Sequence, residues 1–246
     1  MPKVKINAEG RSIVFDSVRG YFENKGISNI KLSESNGISS YFTGNKNHQK
    51  IGVKFGRVYD TYRFEAECLS TLSHKNIPKC FDIGTAKIKS SEFGYMIVQH
   101  FPGRPICLLE QKSRNGKIRI VNSLISVIDL LDYIHSKNVA HHDIHSDHIL
   151  VDRETCLIDF SMQDYADKAI YDFCSPEETE DMHQQPCYGR MLEEVANSNL
   201  YTSFSYRLKD ISSSLVMMPR SLFRSSSRDS ISRETRESLE KLLKEL

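Results

Sequence analysis

The chain has 246 residues and a formal net charge of +1, with 33 Lys and Arg against 32 Asp and Glu. That length suits one large domain or two lobes sharing a cleft, with enough material for a hydrophobic core. The near-zero charge argues against bulk electrostatic binding of nucleic acid, and no apolar run approaches the roughly 18 residues of a membrane-spanning helix.

In chain order, residues 1–28 hold a short alternating stretch, "KVKI", and a candidate helix through "DSVRGYFENKG". They read as an extension that packs on the next part of the chain. No apolar signal core is visible in "MPKVKINAEG". Residues 29–101 are strand-rich. "ISNIKL", "KIGVKFG" and "GYMIVQHF" are β-prone runs separated by Gly, Ser and Asn. One helix, expected over 62–73, interrupts them: Phe64, Cys68, Leu69 and Leu72 fall at helical spacing. After Pro102-Gly103 the pattern changes. "GKIRIVNSLISVIDLLDYIHSKN" predicts a buried helix over about 119–136. A strand is expected in "NVAHH", then "HILV" and "CLIDF" as two short strands around "DRET". A strand-rich half before a helix-rich half predicts a two-lobed α+β architecture. Residues 1–28 are the extension, 29–101 the first lobe and 102–246 the second.

The tail begins with a Ser/Arg-rich stretch, 220–233, expected to be a linker. A closing helix comes next, with Leu239, Leu242, Leu243 and Leu246 on one face. Cys68, Cys80, Cys107, Cys156, Cys174 and Cys187 show no CxxC spacing, so they read as reduced thiols in a cytosolic type of protein.

Chemistry concentrates in "HHDIHSDHILVDRETCLIDF", residues 141–160. A hairpin between Asp143 and Asp159 would bring both carboxylates to one edge. One could hold a divalent metal while the other accepts or orients a hydroxyl proton; two loop Asp capping turns is the plain alternative. Lys54, between Val53 and Phe55 on a strand, needs an anionic partner if it points inward. Glu65 shares a helix face with Leu69 and Leu72 and is expected to point to the core. Glu67 is expected to point to water.

These pieces resemble the protein kinase family over about 29–215. His141-His142-Asp143 stands where H-R-D stands and Asp159-Phe160-Ser161 where D-F-G stands. "IGVK", ending at Lys54, is similar to V-A-I-K, and Ser175-Pro176-Glu177 to A-P-E. "LSHKNI" looks like the stretch after the family's third helix, and Asp210-Ile211 like the start of its buried second-lobe helix. The resemblance implies a catalytic base at Asp143, a metal ligand at Asp159, and Lys54 clamping the ATP phosphates while Glu65 fixes it. It puts Leu32, Gly37, Gln99, Phe101, Leu150 and His145 on the nucleotide, with Gln99 as gatekeeper before the hinge at His100–Phe101. His141, Phe160, Leu69 and Cys80 would stack in the interior. Arg233 or Arg236 could pair with Glu177, unless either is an ordinary surface arginine.

Several positions depart from the family pattern. Ser33, Ser35 and Ile38 stand where the family has Gly, and side chains there hinder backbone approach to phosphates. His148 replaces the Asn that holds a second metal, and imidazole suits Mn²⁺ better than it suits Mg²⁺. His142 replaces the Arg that reads a phosphorylated loop, so control by loop phosphorylation is not expected. Lys54 and Glu65 are close in sequence, which predicts a late helix start. The leading expectation is an ATP-dependent Ser/Thr protein kinase using Mg²⁺ or Mn²⁺. It would act on a protein substrate in the cytoplasm or a host cytosol, without nucleic acid or membrane insertion. The oligomeric state leaves no signal in the sequence. A pseudokinase scaffold is the first alternative. A small-molecule phosphotransferase of the aminoglycoside or choline kinase type is the second, because His141-x-Asp143-x-His145 is similar to the loop of those enzymes.

Overall fold

In the first hundred residues the described strands pair antiparallel. The computed structural model describes residues 3–5, 12–35, 39–141, 143–160, 187–198, 203–216 and 228–246. It divides into two units, Met1–Phe101 and Pro102–Leu246.

In the first unit, β1 (Lys3–Lys5) and β2 (Ser12–Val14) pair antiparallel and lead into α1 (Phe15–Glu23). An antiparallel sheet comes next, built from β3 (Ser28–Ser35), β4 (Ser39–Lys46), β5 (Gln49–Gly56), β6 (Cys80–Ile88) and β7 (Ser91–Gln99), in the order β3-β4-β5-β7-β6. β4 and β5 join through Asn47 and His48, both left-handed at φ 51° and 62°, as a two-residue hairpin turn requires. The helix α2 (Tyr59–Thr71) connects β5 to β6.

Strand alternation gives this sheet two different faces. Ile51, Val53 and Phe55 on β5 face the same way as Phe93, Tyr95 and Ile97 on β7 and form one buried cluster. The helix α1 seals it. Val18 and Phe22, four residues apart, are fully buried. The Phe22 ring lies 5.9 Å from Phe55 and 5.5 Å from Tyr95, both edge-on. Gly52, Lys54, Met96 and Val98 point to the other face, against which α2 packs. Gly94 permits that approach: a Cβ there would come 2.7 Å from the Tyr59 Cα.

The second unit is built on α3 (Arg114–Ser136), whose buried face includes Ile120, Leu124, Val127, Leu131 and Ile134. Beside it is a small sheet of β8 (Arg104–Pro105), β9 (Ile149–Val151) and β10 (Thr155–Leu157), in the order β10-β9-β8. α4 (Tyr188–Asn197), α5 (Ser203–Val216) and α6 (Arg228–Glu245) complete it. α6 docks on α3: Ser232 Oγ donates to the Asp132 carboxylate at 2.9 Å, and Leu239 and Leu242 are buried.

Several boundaries differ from the sequence expectation. α2 spans 59–71 rather than 62–73 and starts three residues after β5 ends, so it does not start late. Its N-cap is Val58, without a side-chain cap, and so carries none of the usual start signals. α3 begins at Arg114 rather than near 119. The Ser113 hydroxyl accepts from Gly116 N at 3.0 Å and caps it. α6 begins at Arg228, so the last six residues of the expected linker are helical, and Ile231, Ser232 and Thr235 extend the buried face. "NVAHH" is not a strand at any of its described residues, 138–141. β4 and β6 have no counterpart in the sequence reading.

Candidate active site

Lys54 lies in mid-β5, on the face toward α2. Its Nζ donates to Glu65 Oε2 at 2.6 Å and to Oε1 at 2.8 Å. Glu65 is 2% exposed. Glu67, two residues on, is 56% exposed at its side chain. A carboxylate this deep is costly unless paired, and both oxygens bind one ammonium. The inward placement of Glu65 reflects helical spacing, because Tyr62, Glu65, Cys68 and Leu69 form the buried stripe of α2. Lys54 stays chemically useful, since an ammonium held this way presents charge toward a phosphate.

In the second unit, hydrogen bonds between loops set the geometry. His141 is fully buried. Its Nε2 donates to Ile158 O at 2.9 Å, and its Nδ1 accepts from Asp143 N at 3.3 Å. One neutral imidazole thus ties the segment carrying Asp143 to the segment carrying Asp159. Its ring centroid lies 4.7 Å from that of Phe160, so His141 links loops as well as packing. Ile158 N also donates to His148 O at 2.9 Å. Asp159 has φ 65°, a left-handed conformation that costs free energy outside Gly and clusters at functional sites.

His148 stands between the two carboxylates. Its Nδ1 lies 2.8 Å from Asp143 O. A carbonyl only accepts, so Nδ1 is the donor and Nε2 carries the lone pair of the neutral ring. Nε2 is 3.4 Å from Asp159 Oδ2. Two acceptors at that distance call for a cation between them or a proton on Nε2. One imidazole nitrogen and one carboxylate oxygen fit a divalent ion that brings its other ligands on phosphate. Among the described residues no group of three His, Cys, Asp or Glu forms a self-sufficient metal cage.

Asp143 is flanked on its other side by His145, with Nε2 3.0 Å from Oδ1. His145 Nδ1 lies 3.3 Å from Glu194 Oε1 on α4, and Glu194 Oε2 accepts from Ser146 N at 2.9 Å. Both partners of His145 are carboxylates, so making both bonds at once requires the doubly protonated ring. Sequence reasoning missed Glu194. The signal was an acidic residue on a strongly amphipathic helix, with nothing to indicate its partner. Asp210, expected at the start of a buried helix, is instead exposed in mid-α5.

The remaining expected residues occupy varied positions. Leu32 is half-buried on β3, paired with Phe42. Leu150 is half-buried on β9, between Pro105 and Cys156. Phe101 and His100 come after β7 and are half-buried. Gln99 does not share the Lys54 face. The register Lys54↔Met96 and Gly52↔Val98 turns Met96 and Val98 toward that face and Gln99 away with Ile97. Val98, 4% exposed, is the residue beside Gly52; the sequence reading was off by one pleat. Ser33 and Ser35 lie on β3, and both are exposed. Leu69 is buried on α2 and Cys80 half-buried at the start of β6. Burial pushes the Cys80 thiol up to about 11. Arg236 pairs with Asp129. Gly37, Ile38, His142, Ser161, Cys174 and the segment Ser175-Pro176-Glu177 lie outside the described residues.

Comparison with known proteins identifies the family. Residues 41–203, more than half of the chain, match the family model described as protein tyrosine and serine/threonine kinase. The match takes in Lys54, Glu65, Asp143 and Asp159. A protein of Acanthamoeba polyphaga mimivirus, provisionally named a serine/threonine-protein kinase, is 42% identical over 48 residues, which is 20% of this chain and 17% of that protein. No helix among the described residues is long and apolar enough to cross a membrane. With its strand-rich first half and helical second half, the chain belongs to the protein tyrosine and serine/threonine kinase family and has the family's two-lobed α+β fold.

Proposed function

We propose that the chain transfers the γ-phosphate of ATP to Ser or Thr hydroxyls of a protein substrate. The observation that carries this reading is the Lys54–Glu65 pair, joined at 2.6 Å with Glu65 almost wholly buried. A fold kept only as a scaffold gains little from such a pair, because a hydrophobic replacement is often as stable. Lys54 would neutralise phosphate charge. Asp143, oriented by His145 and held near His148, would accept or orient the hydroxyl proton. Asp159 and His148 would hold the divalent ion that accompanies the nucleotide and neutralises charge developing on the phosphates. Leu32, Val98, Phe101 and Leu150 are the candidate apolar contacts of the base.

A metal site containing an imidazole favours Mn²⁺ over an all-oxygen Mg²⁺ site. The reading therefore includes a preference for Mn²⁺, reduced by His148→Asn. A pseudokinase scaffold draws on Ser33 and Ser35, which extend β3 where the family has Gly. A small-molecule phosphotransferase draws on His145 two residues after Asp143.

The test is incubation with ATP and a panel of protein substrates, then identification of the phosphorylated residue, beside Asp143→Asn. Phosphoserine or phosphothreonine formed by the parent chain and reduced by about 10²–10⁴-fold in the variant, the usual range for a general base, is the expected result. Phosphate found only on small hydroxyl compounds would move the function to the second alternative. No transfer under either metal would leave the scaffold.

A further inference from the structure

The strand face that carries Lys54 holds one large side chain with no role so far. Tyr41 on β4 pairs directly with Lys54 on β5, so both project from the same face of the sheet. Its hydroxyl lies 3.1 Å from His100 Nδ1. The two rings are near-parallel, with centroids 6.2 Å apart and 29° between planes. The Tyr41 side chain therefore reaches across β5 from β4 toward the end of β7.

Gly52 lies under it. A Cβ at position 52 would collide with the hydroxyl, Cζ and Cε2 of Tyr41. Gly52 is two residues from Lys54 on the same face, about 6.7 Å away along the strand. It pairs with Val98, its neighbour Ile51 pairs with Gln99, and His100 comes next. Lys54, Gly52 and His100 thus mark one line along the sheet. A nucleotide with phosphates at Lys54 and a base at His100–Phe101 has to cross Gly52, where the Tyr41 ring already lies. The two groups are partly sheltered from water: burial pushes the Tyr41 phenol up to about 12, and burial with the nearby Lys50 charge pulls His100 below its ordinary value.

We propose that Tyr41 is the gate of the base-binding face. Its ring, tethered to His100 and lying over Gly52, covers the strand surface that the base must contact. Nucleotide binds only after Tyr41 has turned away. This inference rests on the nucleotide-binding role proposed for the face and deepens it, because it makes residue 41 the determinant of affinity. The apparent affinity is the intrinsic one reduced by the fraction of molecules with the gate open. A glycine at 52 and a large ring at 41 then form a matched pair: the missing side chain makes room for the tyrosine rather than for the base.

The experiment is titration of the full chain, Tyr41→Val and Tyr41→Phe with ADP in the presence of Mn²⁺, after each is shown to melt cooperatively. Val keeps the β-propensity of the strand and uncovers Gly52. Phe keeps the ring and removes the tether to His100. The expected result is binding at least about tenfold tighter in Tyr41→Val, with Tyr41→Phe between it and the parent. If Tyr41→Val does not fold, the Phe variant decides: tighter binding than the parent supports the gate, and equal binding overturns it. Unchanged affinity in a folded Tyr41→Val also overturns it. Weaker binding there overturns it in favour of a ring that stacks on the base. Parent and variants all failing to bind overturns the nucleotide reading itself, and the gate with it. Binding by the parent with no gain in the variants overturns the gate alone.

Discussion

The Lys54–Glu65 pair and the Asp143–His148–Asp159 cluster solve the same problem, buried or crowded charge, in opposite ways. The pair is built by regular elements. Strand alternation aims Lys54 and helical spacing aims Glu65, and the two ions meet. The cluster is built by loops, and three imidazoles do the aiming. His141 joins the two segments, His145 links Asp143 to Glu194, and His148 bridges toward Asp159. A divergent kinase is therefore freer to change in one place than in the other. A pair fixed by secondary structure has little freedom. A cluster fixed by hydrogen-bonding side chains can exchange its surrounding residues while keeping both carboxylates.

Removing one partner of the pair should have the largest effect on stability. Lys54→Met leaves Glu65 buried without its cation and should cost about 3–5 kcal/mol, read as a lower denaturation midpoint at unchanged denaturant slope. Lys54→Met with Glu65→Leu should recover much of that loss. If the single variant is as stable as the parent, Glu65 is not sealed from water and the pair is no different from a surface one.

On the cluster side, Glu194→Gln should have a smaller effect. It weakens the bond to His145 or to Ser146 N and should cost about 1.5–3 kcal/mol, the range for hydrogen bonds to charged groups. Faster amide exchange at Ser146, with exchange in β5 unchanged, is the specific sign. Equal exchange at both places would remove Glu194 from the loop's support.

Gly52→Ala probes the face that carries the pair. In the parent it forces Tyr41 aside and should cost about 1–3 kcal/mol, as overpacking does. In a Tyr41→Val background the cost should nearly vanish. Equal costs in both backgrounds would show that Tyr41 does not cover Gly52.

Near neutral pH the burial of Cys80 and Tyr41 should have the smallest effect, felt only as the pH rises. Cys80 is raised from 9.0 to about 11 and Tyr41 from 10.0 to about 12, each chiefly by burial. In both, the unfolded chain loses its proton first. The resulting stability is therefore complete below about pH 9 and falls as pH rises toward about 12. Cys80→Ala should flatten the early part of that decline, measured as melting temperature against pH. A decline that begins well below the ordinary thiol range, or that ignores the substitution, would contradict the assignment.

The two-lobed fold was legible because six short motifs fall in order and the pattern shifts from strand to helix near Pro102. Lys54 and Glu65 were legible for the same periodic reasons that build the pair. Gln99 was misassigned because a strand read without its partner gives alternation but not which phase faces the helix; only the register with β5 supplies that. β4 escaped because Ser39, Ser40, Gly44 and Asn45 look like turn residues, yet Ser40, Phe42 and Gly44 form its buried side. Glu194 was invisible because a loop–helix hydrogen bond leaves no spacing signature. Tyr41 was invisible because its importance depends on the absence of a side chain at Gly52, on a neighbouring strand.

Phosphate transfer through Asp159 and a metal bound partly by imidazole can be tested in one assay. Labelled γ-phosphate is traced from ATP onto protein, in Mg²⁺ and in Mn²⁺, for the parent chain, Asp159→Ala and His148→Asn. The parent should be labelled, more with Mn²⁺ than with Mg²⁺. Asp159→Ala should show nothing above background, and His148→Asn should shift toward Mg²⁺. Label that persists in Asp159→Ala, or no label from a well-folded parent in either metal, would contradict the proposed chemistry.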